Sequence, residues 1–582
     1  MHVYTLGINA AFHDSAACLV RDGVVVAAAE EERFTRIKHG KRPIPFSTYE
    51  LPFHAIEFCV KQAGIRLADV DHVAYSFNPY LLLGRRAADS HIPIPLHGNG
   101  SERGEWESPW DPLALSAIVN APRHLASGIP HHLLERCGGL PDAGPARWHF
   151  VAHHLAHAAS AFHASPFETA AVMTLDGRGE RATTSYYVGH GQHLTEHGTV
   201  TMPHSLGLLY EEITTYLGFL HSSDEYKVMA LASFGKPQYV EILRGIVRPA
   251  GQGRYEIAPL NLPEWFGPPR VRGGPLDERH YNLARSLQQV LEETTLDLVS
   301  WLHDSTQQRS LCLAGGVALN CVLNAHVRSR GPFKDVWVQP AAGDAGTALG
   351  AALWTDAQVR PAVGMRRSTL EHVFLGPAYD DGEIEALLRR AKLSYRKLRN
   401  VPDETAALLE RDLIVGWFQG AMEFGPRALG SRSILASPIN AAMQERLNDI
   451  KDREDFRPVA PVVLEEEAEH WFVDARVSPF MLFVFGVKPD KAMRIPAVRH
   501  VDGTARVQTI NRLQHPLYYD LVKAFQQRTG VPVLVNTSFN VRGEPIVCTP
   551  RDAVSAFFAS PLDALVIGPF LVTKQHNGKG DV

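Results

Sequence analysis

The chain has 582 residues and a formal net charge of −5, a length too great for one hydrophobic core and a charge balance that lends no support to a nucleic-acid partner. Apolar residues at 45% and charged residues at 21% predict ordinary globular domains, and neither a signal-type amino terminus nor a run of about eighteen apolar residues is present, so no membrane span is expected. The six cysteines form no CxxC pair, which argues against a disulfide framework or a thiolate metal cluster and fits a reducing cytoplasm.

From the amino terminus, residues 3–34 alternate apolar runs with turns and predict three strands, with Asp22-Gly23 as the tight turn between the second and third. His13-Asp14-Ser15 falls in the first turn, where a histidine is a candidate base for an incoming hydroxyl. A helix near 51–64 and a strand near 72–77 follow. Residues 79–147, rich in Pro, Gly and His, are too long for a connector and are expected to fold over the core as a lid or acceptor pocket.

Next comes VAHHLAHAAS, where His153 and His157 stand four residues apart in a helix-favouring stretch and so leave one helical face. Two imidazoles on one face are half of a metal site, and Asp176 and Asp344, each beside glycine, are the carboxylates that would complete it. Residues 171–200 repeat the three-strand pattern of residues 3–34. A duplicated three-strand unit followed by helices is the plan of the actin, hexokinase and Hsp70-type fold, which holds nucleotide between its halves.

Farther on, helices are predicted near 205–217 and 281–302, the latter with Ala284, Leu287, Leu291 and Leu298 at core-facing spacing. The strand SLCLAGG enters a turn at Gly315 and Gly316 before a helix from Leu319, leaving backbone N–H groups free to approach a phosphate. The pattern loosens between 356 and 377, which divides the chain into domains 1–360 and 361–582. Helices near 382–391, 441–450 and 551–559 alternate with LIVGWFQG, VPVLVNTSFN and LDALVIGPFLV and predict a second mixed α/β domain. In it Arg427, Lys451, Arg453, Arg457, Arg506, Asn536, Ser538 and Asn540 cluster at loop-like places, and an adenylate or acyl phosphate is their natural guest.

The segments LGINAAFHDSAACLV, EEERFTRIKH, HHLAHAASAF, LDGRGE, AGGVALN, PAAGDAGTALGAAL, FGPRALGSRSILA, FRPVAP and NTSFNVRGEPIV together resemble the NodU/CmcH carbamoyltransferases over nearly the whole chain. The resemblance implies an actin/hexokinase-like (ASKHA) first domain similar to tRNA threonylcarbamoyltransferases. It implies a YrdC-like second domain, whose Lys-x-Arg and Ser-x-Asn motifs look like Lys451-Asp452-Arg453 and Ser538-Phe539-Asn540. The implied activity is ATP-dependent O-carbamoyl transfer. The second domain would make carbamoyl-adenylate from carbamoyl phosphate and ATP, releasing pyrophosphate, and the first would pass the carbamoyl group to an acceptor hydroxyl, releasing AMP.

By resemblance His153, His157, Asp176 and Asp344 would bind one divalent metal, iron being favoured while zinc and manganese also suit the donors. His13 would be the base, and Gly315, Gly316 and Asn320 would hold nucleotide. Lys451, Arg457, Arg427, Arg506, Ser538 and Asn540 would bind carbamoyl phosphate and ATP. Tyr226 and Ala230 stand where relatives are expected to carry glycine, which argues against close ligand approach at Lys227. The alternatives are a tRNA threonylcarbamoyl-type transferase, disfavoured by the acidic balance, and a non-catalytic ATP-binding sensor. In the insertion Glu102, Glu105, Glu107 and Asp111 surround Trp106 and Trp110, while Arg85, Arg86, Arg103, Arg123, Arg136 and Arg147 oppose a purely acidic lining. A largely apolar macrocycle or polyketide is therefore expected over an aminoglycoside, and the oligomeric state is left open.

Overall fold

A computed structural model describes residues 2–40, 51–83, 111–127, 146–360, 369–541 and 543–574. In the first five-stranded sheet, β1 (Tyr4–Asn9), β2 (Ala16–Arg21) and β3 (Val24–Glu30) form an antiparallel meander. Strands β4 (His72–Tyr75) and β5 (Arg147–Phe150) add in parallel on the far side of β1, giving the order β3-β2-β1-β4-β5. The second sheet repeats this arrangement. The meander β6 (Thr169–Leu175), β7 (Ala182–His190) and β8 (His193–Thr201) is continued, after a separate hairpin β9 (Val247–Gly251) and β10 (Arg254–Ile257), by the parallel strands β11 (Ser310–Ala314) and β12 (Asp335–Val338). Two copies of one topology make the duplicated actin/hexokinase-like architecture that the repeated strand pattern predicts.

The remaining strands are β13 (Tyr395–Lys397), β14 (Val415–Phe418), β15 (Arg432–Ala436), β16 (Ala460–Leu464), β17 (Val484–Gly486), β18 (Thr504–Arg506), β19 (Gln508–Ile510), β20 (Val533–Ser538), β21 (Ala564–Ile567) and β22 (Phe570–Thr573). Eight of them form one mixed sheet in the order β13-β22-β21-β14-β15-β20-β16-β19, and β17 pairs with β18 alone. The apolar runs of β14, β15, β16 and β21 are buried along their whole length, as expected for central strands covered on both faces.

The helix Ala345–Val359 is wedged between the first sheet and the helix His153–Phe162. Glycine makes this approach possible. A Cβ on Gly7 would stand 1.9 Å from the Ala348 carbonyl oxygen, and one on Gly350 1.7 Å from that of Ala156. Because both obstacles are backbone, Gly350→Ala is expected to destabilise the protein by about 3 kcal/mol or more, read as a fall in melting temperature. Gly245→Ala, whose Cβ would meet nothing within 4 Å, serves as the control.

One expectation is corrected and another lies mostly outside the described residues. The helix expected from Leu319 is a single 3₁₀ turn, Gly316–Leu319, followed by the helix Cys321–Arg330, because the Asn320 side chain accepts from Leu323 N and starts a new helix there. Most of the 79–147 insertion, Trp106 and Trp110 included, lies outside the described residues. Its described helix Asp111–Ser127 sends Leu115, Ile118, Ala121 and Leu125 into the core of the first sheet. Among the described residues no helix is long and apolar enough to cross a membrane.

Candidate active site

The Ala-rich segment around His153 forms the expected helix, and both imidazoles are buried on one face of it. Asp176 lies just past the end of β6 and Asp344 at the start of the helix Ala345–Val359, so residues from three places in the chain converge. His153 Nε2 is 3.2 Å from Asp176 Oδ2 and 3.6 Å from Asp344 Oδ1; His157 Nε2 is 3.6 and 3.7 Å from the same two oxygens. Ligand atoms about 2.1 Å from one ion stand roughly 3.0 to 3.4 Å apart at octahedral or tetrahedral angles; the 3.2 Å pair meets this, and a small inward shift of the others would let all four hold a single first-row cation.

The surrounding contacts orient the set. His153 Nδ1 donates to the Ser76 carbonyl at 3.2 Å, which leaves Nε2 as the lone-pair nitrogen facing the cluster. Gly316 N–H holds Asp176 Oδ1 at 2.8 Å and turns Oδ2 toward the histidines. Glu180 accepts from the backbone of His153 and Asn78, supplying the helix cap that Ala152 lacks. Burial opposes charge on both imidazoles, but Asp176 and Asp344 outweigh it and hold His153 well above and His157 above the usual range.

A hydrogen-bonded path joins this cluster to the first turn. Thr347 Oγ1 bonds Ser76 Oγ, Ser76 Oγ donates to Asn9 Oδ1, and Asn9 Nδ2 donates to the carbonyls of His13 and Asp14. His13 sits between partners: Nε2 donates to the Ser222 carbonyl at 2.7 Å and Nδ1 is 3.0 Å from Asp14 Oδ2. A base role for His13 therefore needs an acceptor hydroxyl to replace Ser222 at Nε2. His39 stacks on His13 with centroids 4.7 Å apart and bonds Asp14 Oδ1 at 2.8 Å. Burial would raise the Asp14 carboxyl, but the two histidines hold it well below the usual range.

A second cluster is cationic. The buried Glu423 carboxylate accepts the backbone N–H groups of Leu429, Ser431 and Arg432 and so folds the loop that carries Arg427. Lys451 Nζ donates to the Ser538 carbonyl, Ser538 Oγ and Asn540 Oδ1 at 2.5, 2.9 and 2.7 Å. Arg427, Arg453 and Arg506 all feel the charge of Arg457, and burial together with this like charge pushes all three guanidinium groups down. Lys451 is pushed well down by burial, then by Arg453, Arg457 and Lys38. Arg427 Nε, Arg453 Nη2 and Arg506 Nε are buried without a hydrogen-bond partner. Buried cations with unmet N–H groups are a receptor for a polyanion. The first domain closes one side, with Arg457 over the Tyr226 ring at 4.7 Å and Lys227 Nζ 2.8 Å from Glu454.

Other predicted site residues lie differently. Asn320 spends its side chain capping a helix and bonding Gln288, and Gly316 N–H holds Asp176, so in this conformation these groups serve packing and the carboxylate rather than a nucleotide. A Cβ on Gly315 would stand 2.1 Å from the Leu175 carbonyl oxygen, and its φ of +91° suits glycine. Lys227 pairs with Asp224 and Glu454.

Sequence comparison decides the family. A family model described as Carbamoyltransferase N-terminus matches residues 4–80 and 143–353, and one described as Carbamoyltransferase C-terminus matches residues 406–574. The chain belongs to the carbamoyltransferase family. An uncharacterized protein of Synechocystis sp. is 39% identical over 98% of this chain and 97% of its own. Nodulation protein NolNO of Sinorhizobium fredii is 39% identical over 97% of this chain and 80% of its own, and nodulation protein U of Rhizobium tropici 29% over 97% and 95%. This carbamoyltransferase is thus an enzyme that moves a carbamoyl group from a donor to a small-molecule acceptor, as the NodU/CmcH resemblance implies. The sensor reading is set aside by that assignment.

Proposed function

We propose that this carbamoyltransferase is ATP-dependent and works through carbamoyl-adenylate, made in the second domain and consumed in the first. The reading rests above all on one observation: a single chain holds two separate buried clusters, one of cations with unpaired N–H groups and one of two histidines and two aspartates. In the first half-reaction, water releases phosphate from carbamoyl phosphate, and the resulting carbamate oxygen attacks the α-phosphorus of ATP as pyrophosphate leaves. Lys451, Arg427, Arg453, Arg457 and Arg506 bind the phosphates and neutralise charge as the pentacovalent phosphorus forms.

In the second half-reaction the acceptor hydroxyl attacks the carbamoyl carbon, the carbon–oxygen bond to AMP breaks, and His13 Nε2 takes the hydroxyl proton. Asp14 holds the imidazolium that results. His153, His157, Asp176 and Asp344 would hold a divalent ion, iron by resemblance, which when bound supplies positive charge beside the leaving adenylate. Keeping both steps within one chain limits hydrolysis of the mixed anhydride. The acceptor is read as a hydroxylated natural product, an apolar macrocycle or polyketide before an aminoglycoside, on the mixed aromatic and charged composition of residues 79–147.

Incubation with ATP and carbamoyl phosphate is expected to release pyrophosphate only when both are present and to yield carbamoyl-adenylate by mass spectrometry. Pyrophosphate release that ignores carbamoyl phosphate would sink the proposal. With ansamycin-type macrocycles and aminoglycosides offered side by side, the macrocycles are expected to be carbamoylated, and the opposite selectivity would overturn the acceptor assignment.

A further inference from the structure

The segment from Glu30 to His39 leaves β3, belongs to the first domain and touches both the loops of the cationic cluster and the His13-Asp14 turn. At its start, Gly425 N–H donates to Glu30 Oε1 at 3.0 Å, while Arg33 donates to the Gly425 carbonyl and to Glu30 at 2.9 Å each. Both backbone groups of Gly425 are thereby held, two residues before Arg427. All the partners are buried, and side-chain exposure is 4% for Arg33 and 6% for Glu30.

In the middle, Arg36 donates to the carbonyls of Ile546 and Pro545 at 2.6 and 2.8 Å. Those carbonyls close the loop in which Asn540 Nδ2 is tied to the Glu544 carbonyl at 2.8 Å, and Asn540 Oδ1 is a partner of Lys451. At the end, His39 bonds Asp14 Oδ1 and, at 3.1 Å, Ser223 Oγ, next to the Ser222 carbonyl that holds His13. Glu32 joins the parts: it pairs with Arg33 at 2.9 Å and accepts His39 N–H at 2.6 Å. Arg36 and His39 both keep φ near +60°, a region that side chains disfavour, so the contacts impose this path rather than local preference.

We infer that residues 30–39 are a positioning strap, supplied by the first domain, that sets the phosphate-binding loops of the second and ties them to the His13-Asp14 turn. The inference rests on the proposed function for its meaning. Arg36 and Arg33 act through the Pro545–Ile546 and Gly425 backbone, not on the reacting atoms. A phosphate-bearing ligand that engages Lys451 and Arg427 thus stiffens loops whose outer ends are fastened to the strap.

The test uses the full chain and inorganic pyrophosphate as probe. By calorimetry Arg36→Ala is expected to weaken pyrophosphate binding roughly ten-fold, with Arg36→Lys falling between, since an ammonium reaches one carbonyl where the guanidinium fork reaches two. Arg36 is a quarter exposed on its side chain, so the variant is expected to fold. In the wild-type protein pyrophosphate is expected to slow amide hydrogen exchange in residues 10–16, and in Arg36→Ala at saturating pyrophosphate that slowing is expected to vanish. Loss of fold alone changes the amount of binding protein but neither the dissociation constant nor the exchange of the bound fraction. Unchanged affinity in Arg36→Ala, protection of residues 10–16 that persists in it, or no pyrophosphate binding by the wild type each overturns the strap. Wild-type binding without carbamoyl-phosphate-dependent pyrophosphate release would instead count against the adenylate mechanism while the strap stands.

Discussion

Lys451→Ala is expected to lower carbamoyl-phosphate-dependent pyrophosphate release by about a hundred- to a thousand-fold, the cost of removing one fixed charge from a phosphoryl-transfer site. His13→Asn is expected to leave that release intact and to lower transfer to the acceptor by about a hundred- to ten-thousand-fold. The separation follows from placement. Lys451 lies among Ser538, Asn540 and the arginines of the second domain, whereas His13 lies in the first turn of the first sheet against Asp14 and Ser222. The Lys451 substitution removes a buried cation that its neighbours already oppose, so folding is expected to survive it. Pyrophosphate release and acceptor carbamoylation measured on both variants check the claim; an equal loss of both activities in His13→Asn would mean that the roles are wrongly assigned.

The second large effect concerns the histidine–aspartate cluster. His157→Ala is expected to reduce bound metal, measured by elemental analysis, by about a hundred-fold in affinity or more, and to reduce transfer in parallel. Pyrophosphate release from the second domain is expected to persist. A pH dependence follows from the same geometry. Asp176 and Asp344 hold His153 and His157 above their ordinary range against burial, so protons compete with a cation for the two Nε2 atoms from above the usual histidine value downward. Metal affinity is therefore expected to fall as pH falls through that range, and to be regained on raising it. Full metal occupancy in His157→Ala, or affinity that does not change between neutral and mildly acid pH, would remove His157 from the ligand set.

Much of this was legible in the residues. The Asp22-Gly23 turn and the repeated strand pattern announced the duplicated sheets, and the four-residue spacing of His153 and His157 announced a shared helical face, because both signals are local and periodic. The two aspartates were found because glycines beside them advertise close approach. The Asn320 helix start was not anticipated, since an asparagine after a glycine turn reads equally as a ligand and as a cap.

What the sequence by itself determined is therefore the set of chemical groups, the order of the elements and the family: cations in the second half, a histidine pair and two carboxylates in the first, and the motifs that make the chain a carbamoyltransferase. Only the tertiary structure decided which groups meet. Asp176 and Asp344 are far apart in the chain but come to within 3.7 Å of the same imidazoles, Asp344 because Gly350 lets its helix lie against that of the histidines. Ser76, Glu180 and Gly316 orient them through backbone bonds, a role that the motifs LDGRGE and AGGVALN do not announce for the last two. Glu30, Arg33 and Arg36 stand in the EEERFTRIKH segment with nothing to say what they bind, yet they grip Gly425, Pro545 and Ile546 across the domain boundary. Periodicity reports which face of an element is buried; it carries no information on which distant backbone carbonyl a buried guanidinium will find, because that pairing is selected by packing and by the cost of leaving either group unsatisfied.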